Sequence, residues 1–411
     1  MRIPRPRYRL YLSKNVFNII LAKTLTFKVF SGNYVNKFEK EIEKYIGCRH
    51  AIANSMARTS LYLLLKAYNL KKGSEVIVST YTIPEVINII IQAGCKPVFV
   101  DIDLNTYNMD PNLIEKKITK KTKVILHTHL FGQPDDIDKI NKIAKKYNLI
   151  TFEDCAQSFG ARYNGRKVGN NCDAGYFSLG SYKNATTFYG GIITTDNDEI
   201  AKKIREMIYK MPYPKLTFLY KRIIRDAILW ISTMKFSFIF TYLIVGMINK
   251  FDEGFIDRFL SAKHILRKEI PKNYLVKYTN IQAAIGLEQL KRIDFRNKRR
   301  KENADFYNRT LKDIKEIKIP EIISKAESIY FNYPIRVKNK KKILNALFKA
   351  GIDTTSGNIT VCSEMDIYKE YFSECPVAKK AVREIMYLPI QLQLNKKQLQ
   401  YIVDKLKGIF N

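Results

Sequence analysis

The chain has 411 residues, 46% hydrophobic and 27% charged, enough apolar material to bury one large core or two modest ones, which excludes a disordered chain. Its 71 basic against 39 acidic residues give a formal net charge of +32. That charge favours anionic partners such as phosphate esters, nucleic acid or an acidic membrane without choosing among them, and a lysine-rich solvated surface produces the same count.

The amino terminus, MRIPRPRYRLYLSKNVFNIILAKTL, is basic and then apolar, but Lys14 and Lys23 break the apolar part and no small-residue cleavage site follows, so a cytoplasmic protein is expected. Residues 34–47, YVNKFEKEIEKYIG, alternate charged and apolar side chains at helical spacing and end on Gly47, a C-cap. A second helix runs from Thr59 to Leu70. The strand EVIVST, the helical VINIIIQAG ending at Gly94, and the strand PVFVDID come next. KVILHTHLFG then reads as a strand entering a glycine turn, DIDKINKIAKKYN as an amphipathic helix, and LITFEDCAQ as a strand whose carboxyl end carries acid and amide groups. Strands alternating with helices predict an α/β fold with a mainly parallel, helix-covered sheet, and ligands in such folds sit at the carboxyl ends of the strands. Six dispersed cysteines, without a CxxC pair, read as small buried hydrophobes in a reducing compartment.

An insert at about 211–267 interrupts this rhythm. After the turn MPYP at Met211 to Pro214 come 22 residues from Ala227 to Ile248, AILWISTMKFSFIFTYLIVGMI, with Lys235 as the only charge. A bilayer-spanning helix needs about 20 apolar residues, and the lysine falls near the middle. Two shorter helices lying on a membrane or a partner fit the basic flanks Lys221, Arg222, Arg225 and Lys250, with Trp230, Phe238 and Phe240 as apolar anchors. A helical hairpin packed on its own domain is the alternative. From Ile281 to Arg300 one long helix is expected, its basic second half either a phosphate site or a solvated face. FNYPIRV reads as a strand, and KILNALFKAG and the segment after Leu394 as helices. The expected organisation is a large cofactor-binding domain over 31–290, containing the insert, and a smaller α+β domain formed by 1–30 and 291–411.

The chain carries no GxGxxG, no GK[ST] loop and no HExxH, and with only His50, His127, His129 and His264 no metal site is expected. The useful polar groups are Asp154 and Gln157 at one strand end, and Ser178 and Lys183 in GYFSLGSYKNATTFYGG. They make chemical sense together around pyridoxal 5′-phosphate. A lysine can hold it as an imine, a carboxylate can keep its ring nitrogen protonated, and a helix start with small hydroxyls can take the phosphate. NSMARTSLYLLL offers such a start at Ala57. A surface position for Lys183 is the competing reading.

At these residues the chain resembles the fold-type I, pyridoxal-phosphate-dependent aminotransferases of sugar nucleotides, the DegT-like family. The resemblance covers nearly the whole chain outside the insert. It rests on EVIVSTYT, AGCKPVFVDIDLNTYNMDP, HLFGQPDDIDKI, FEDCAQSFGARYNGRKVG, DAGYFSLGSYKN, GGIITTDNDE and YTNIQAAIGLEQLKRID. It implies that Lys183 carries the cofactor and moves the proton, that Asp154 binds the pyridine nitrogen, that Gln157 packs against the ring and that Ser178 contacts the phosphate. Ala57 and Arg58 stand where the family has its Gly-Thr pair, and Arg58 either reaches the phosphate or points away. The aromatic that stacks on the ring falls nearest Ile83, with Tyr81 able to replace it. Ser181 and Tyr182 replace the proline and threonine before the lysine, and Leu275 and Lys277 replace an asparagine and an arginine given to the neighbouring subunit. Retention of Lys183 argues against the members that remove a sugar hydroxyl, which carry histidine there.

The resemblance therefore implies amino transfer, from glutamate or a similar donor, to a nucleotide-linked keto-sugar in surface-glycan or polysaccharide biosynthesis. It also implies a homodimer with sites at the subunit interface. The competing readings are a noncatalytic pyridoxal-phosphate-binding regulatory protein and an aminotransferase acting on a lipid-linked or otherwise atypical substrate. Nucleic-acid binding through the basic cluster Arg296 to Lys301 lacks a reading module and is not expected. Peripheral contact of 211–267 with the cytoplasmic membrane face is a further expectation.

Overall fold

The computed structural model describes residues 4–251, 265–267, 269–357 and 359–410. His264 and the 252–264 part of the insert lie outside these residues.

The order of elements follows the predicted rhythm. Helices α1 (Lys14–Leu25) and α2 (Tyr34–Ile46) precede β1 (His50–Asn54), α3 (Ala57–Ala67), β2 (Glu75–Ser79), β3 (Tyr81–Thr82), α4 (Pro84–Gln92) and β4 (Lys96–Val100). There follow β5 (Thr122–Thr128), α5 (Ile137–Tyr147), β6 (Ile150–Asp154), β7 (Arg162–Tyr163), β8 (Arg166–Lys167), β9 (Ala174–Ser178), β10 (Gly191–Thr195) and α6 (Asp198–Tyr209). Helix α2 forms because Phe38, Ile42 and Ile46 recur every four residues and are buried, with lysine and glutamate on the other faces. Gly47 ends it at φ 86°, the left-handed conformation that glycine adopts without steric cost.

Seven strands make the central sheet in the order β1-β10-β9-β6-β5-β2-β4. Only β10 runs against its neighbours in that sheet. The strands are covered on both faces, which is why they read as nearly continuous apolar runs. Val78, Leu126 and Phe152 face one way, into a cluster with Leu64 of α3, Ile87 of α4 and Ile204 of α6. Ile77 and Ile125, one residue out of phase, meet Ile140 and Ala144 of α5 on the other side.

The insert forms α7 (Leu216–Ser232) and α8 (Ser237–Phe251), bent by 95° at the break between them. No single described helix is long and apolar enough to cross a membrane. Both helices pack partly on their own chain. The Trp230 ring lies 5.0 Å from Phe17, and Phe238 is 5% exposed. Of the three expected apolar anchors, only Phe240 is open to solvent.

The single helix expected over 281–300 is two, α9 (Asn280–Leu290) and α10 (Ile293–Leu311). The break lets Ile293 stay in a large-domain cluster while Ala304, Tyr307 and Leu311 enter another core. The basic half is also not simply a solvated face, because Arg296 and Arg300 are each 5% exposed. That second core holds β11 (Ile317–Lys318), β13 (Tyr333–Val337) and β15 (Ile385–Leu388), which form a three-stranded sheet. Helices α11 (Lys340–Lys349) and α13 (Lys396–Phe410) pack there through Leu347 and Val403, while α12 (Pro376–Glu384) lies beside β13. Short β12 (Ala326–Glu327) joins β7 and β8, and β14 (Thr360–Val361) pairs with β3.

The first thirty residues divide their contacts. Gln391 donates to the Pro6 carbonyl and the Arg7 N–H to Asp353 at 2.9 Å, which ties the start of the chain to the smaller domain. Leu10, Leu12 and Val16 instead pack with Phe188, Leu219, Ile281 and Ile285. Helix α1 therefore rests on α9 and the insert, because its apolar residues find their burial there.

Candidate active site

The parallel register sets Thr128 opposite Asp154 and Asp154 opposite Tyr176, so β5, β6 and β9 end side by side and their terminal polar groups converge. Asp154 is 4% exposed, and its Oδ1 accepts the Ala156 N–H at 2.9 Å. Burial pushes its carboxyl above the usual range. The Ala156 N–H, the Tyr176 hydroxyl and the Lys183 charge pull the other way.

Lys183 lies in the loop between β9 and β10, its Nζ 4.8 Å from the centre of the Phe331 ring. Burial lowers its amine to about 8. The nearby Asp154 charge opposes that shift, and the Arg58 charge adds to it. Asp154, Lys183 and Arg58 are thus electrostatic neighbours although 29 and 125 residues separate them from one another along the chain.

The lysine loop is held from several sides. The Leu179 N–H bonds the Gly190 carbonyl at 2.9 Å and the Thr187 N–H the Leu179 carbonyl at 3.0 Å. The Asn184 side chain donates to Asn297 at 2.9 Å, its carbonyl accepts from Arg296 at 2.8 Å, and its Oδ1 accepts from Arg300. From α9, Gln282 donates to the Tyr189 carbonyl at 2.6 Å, while Tyr278 donates to the Thr187 hydroxyl at 2.9 Å. The two buried arginines and the NIQAAIG helix are therefore positioning residues for Lys183. Nothing in their local sequence signals this, because their partners lie about 90 to 115 residues earlier.

Helix α3 opens with Met56 in extended conformation and no side chain capping it, so its first N–H groups at Ala57 and Arg58 are available to an anion. Gly191 sets this start against the sheet. A Cβ there would sit 2.4 Å from the Met56 carbonyl carbon, so only glycine allows the approach. The Arg58 guanidinium turns to Tyr274, donating to its hydroxyl at 2.5 Å and lying 5.2 Å from its ring centre. Its charge still acts on Lys183.

Ser178 closes β9, half-buried, with the Gly180 N–H 3.4 Å from its Oγ. Gln157 accepts the Phe131 N–H through Oε1 at 3.0 Å. Tyr81 is 2% exposed and meets the same Phe131 ring edge-on at 6.5 Å between centroids. Ile83 packs instead against the α3 and α4 cluster. Where the family pattern has an arginine, Lys277 lies over Tyr209 and Tyr213 of its own chain, 5.2 and 5.3 Å from their ring centres.

Behind the strand ends, His129, Glu153 and Cys155 place potential metal-ligand atoms within 4.8 Å of one another. Glu153 is already engaged, accepting from the Gly169 and Asn171 N–H groups at 2.9 and 2.7 Å and pairing with His129 Nε2 at 2.9 Å. Burial keeps the Cys155 thiol protonated. The group is hydrogen-bonded support for the end of β6, where the His129 N–H also bonds the Asp154 carbonyl at 3.1 Å.

These residues fit pyridoxal phosphate on three observations: a buried carboxyl able to face a cationic ring nitrogen, a lysine amine lowered toward neutrality, and an uncapped helix start for the phosphate. The lysine carries a direct prediction. In cofactor-free protein, acylation of Lys183 followed by peptide mapping should rise with pH through a midpoint near 8. Arg58→Met should move that midpoint up and Asp154→Asn should move it down, since the first removes a repelling charge and the second an attracting one. A midpoint at the ordinary lysine value of about 10.4, unmoved by either change, would show that the three groups are not neighbours.

The profile of the DegT/DnrJ/EryC1/StrS aminotransferase family matches residues 18–211 and 258–407. An uncharacterized protein of Methanocaldococcus jannaschii is 31% identical over 98% of this chain and 97% of its own. The dTDP-3-amino-3,6-dideoxy-alpha-D-galactopyranose transaminase of Aneurinibacillus thermoaerophilus is 30% identical over 91% of this chain and 89% of its own. Among solved structures, Helicobacter pylori PseC, an aminotransferase involved in the biosynthesis of pseudoaminic acid, superposes with a TM-score of 0.79 at 22% identity, covering 99% of each chain.

Proposed function

The chain belongs to the DegT/DnrJ/EryC1/StrS aminotransferase family, and from that premise we propose that it moves an amino group from glutamate or a similar donor to a keto-sugar carried on a nucleotide. It does so with pyridoxal phosphate, as a homodimer in the cytoplasm, and serves surface-glycan or polysaccharide assembly. The observation that carries this reading is the convergence of the buried Asp154 at the end of β6, Lys183 in the β9–β10 loop and the uncapped start of α3.

Pyridoxal phosphate, when bound, supplies an electron-withdrawing ring that stabilises a carbanion beside the amino nitrogen. The chain's own residues do the rest. With an amine near 8, Lys183 has both a neutral fraction able to take a proton and a protonated fraction able to return it around neutral pH. Asp154 presents its charge in a site from which water is largely excluded, where an opposite charge is held strongly. Ala57 and Arg58 offer backbone N–H groups at the α3 start to the phosphate, and Ser178 offers a hydroxyl. Arg58 adds a positive charge that acts on Lys183.

The replacement of the family's asparagine and arginine by Leu275 and Lys277 is what favours the second reading, a noncatalytic cofactor-binding regulator. The experiment that separates them incubates cofactor-loaded protein with glutamate and a panel of keto-sugar nucleotides, reading 2-oxoglutarate and aminated nucleotide by mass. Amino transfer predicts equal amounts of both products. A loaded protein that releases no keto acid from any amino donor would contradict it and support the regulator.

A further inference from the structure

Among the described residues, large exposed hydrophobic side chains concentrate on α1, α7, α8 and their flanks. Helix α7 has two faces. Leu219, Ile223 and Asp226 are buried, whereas Ile224, Ile228 and Ile231, on the other face, are 57%, 60% and 52% exposed. Helix α8 repeats the arrangement: Phe238 is buried and Tyr242 stacks on Phe348 at 4.5 Å, while Phe240, Leu243, Ile244 and Met247 recur at helical spacing in solvent. At the elbow between them Phe236 is 72% exposed. Helix α1 lies beside α7 in the opposite direction, with Phe17 against Trp230 and the Thr24 hydroxyl 2.6 Å from that of Tyr220, and it leaves Leu21 and Leu25 open. Apolar side chains exposed at this density are costly to leave in water. The family profile stops at 211 and resumes at 258, so α7 and α8 lie outside the segments that it matches.

The charge of the same layer identifies what covers it. Residues 14–28 and 215–248 contain Lys14, Lys23, Lys28, Lys215, Lys221 and Lys235 together with two arginines, and their only acid is Asp226, which is buried. We propose that α1, α7 and α8 seat the protein on the surface of an acidic lipid bilayer. The apolar faces enter the headgroup boundary and the lysines meet anionic headgroups. The 95° bend suits helices lying in the interface, and α7, at about 25 Å, reaches along that interface without spanning it. A second copy of this chain is the poorer occupant, since a two-fold contact would set the same basic segments against each other. On its inner side, α7 reaches the catalytic loop, where Arg225 donates to the Ser181 hydroxyl.

The test is co-sedimentation of the full-length holoenzyme with vesicles of phosphatidylcholine alone and of phosphatidylcholine mixed with phosphatidylglycerol. At low salt the acidic vesicles should carry down at least about tenfold more protein than the neutral ones. Combined Phe240→Ser, Leu243→Ser and Met247→Ser should remove that binding by about tenfold or more, with melting temperature and cofactor absorbance retained because all three side chains are exposed. Combined Lys14→Glu, Lys221→Glu and Lys235→Glu should remove it independently. A folded wild type left in the supernatant by acidic vesicles, or serine and glutamate variants that pellet as the wild type does, would overturn the proposal. So would sedimentation velocity without lipid showing an assembly that the serine variant dissolves, because the face would then be a protein interface.

Discussion

Replacing Lys183 by alanine should lower amino transfer by about 10²–10⁴-fold, the contribution of a positioned acid–base group, and added methylamine should restore part of the loss. The fold should survive, and here the linkage has a definite sign. With a folded value of about 8 against an ordinary value of about 10.4, the native lysine binds fewer protons than the unfolded one between these pH values. The Lys183 contribution to the stability of the cofactor-free wild type therefore rises from pH 8 to 10.4, and its penalty is fully present below pH 8. Cofactor-free Lys183→Ala should gain melting temperature over the wild type at pH 7, with the gain fading near pH 10.4. A variant that keeps near-normal transfer would place Lys183 outside the chemistry.

Asp154→Asn should slow amino transfer by about 10²–10³-fold, the usual loss when a preorganised charge partner is removed from a dry site. Asparagine keeps an acceptor for the Ala156 N–H, so the change removes charge rather than shape. Burial raises the native carboxyl above its ordinary value, so the native state holds its proton more tightly than the unfolded chain. Its stabilising effect is present below the unfolded pKa and is lost as pH rises through the folded one. The cofactor-free variant should therefore melt no lower than the wild type at pH 7, and relatively lower in acid. Slow transfer with intact melting marks an electrostatic role, whereas normal transfer would leave Asp154 as a core acid.

Much of this arrangement was legible in the sequence because it follows from short-range periodicity. The strands β2, β4, β5 and β6 and the stripe of α2 declare themselves by burial on two faces or on one. Asp154 falls at a strand end for the same reason. What was not legible depends on tertiary partners. The apparent single helix over 281–300 contains no glycine among residues 287–300 and no proline, so nothing local announces the turn that sends Ile293 and Tyr307 into different cores. Arg296 and Arg300 looked like solvated charge because burying a guanidinium needs acceptors from elsewhere, here the Asn184 carbonyl and side chain. Tyr81 and Ile83 are likewise parted by tertiary partners, Tyr81 lying in the short β3 that pairs with β14 from the far end of the sequence. Arg58, which could have faced either way, is captured by Tyr274 from a segment 216 residues later.

Whether Lys183 carries the cofactor is read from borohydride reduction of pyridoxal-phosphate-loaded protein followed by peptide mapping. One phosphopyridoxyl group per chain is expected, on Lys183, with reduced protein permanently inactive and Lys183→Arg unlabelled. A reproducible adduct on another lysine, or none in protein shown to hold the cofactor, would contradict it.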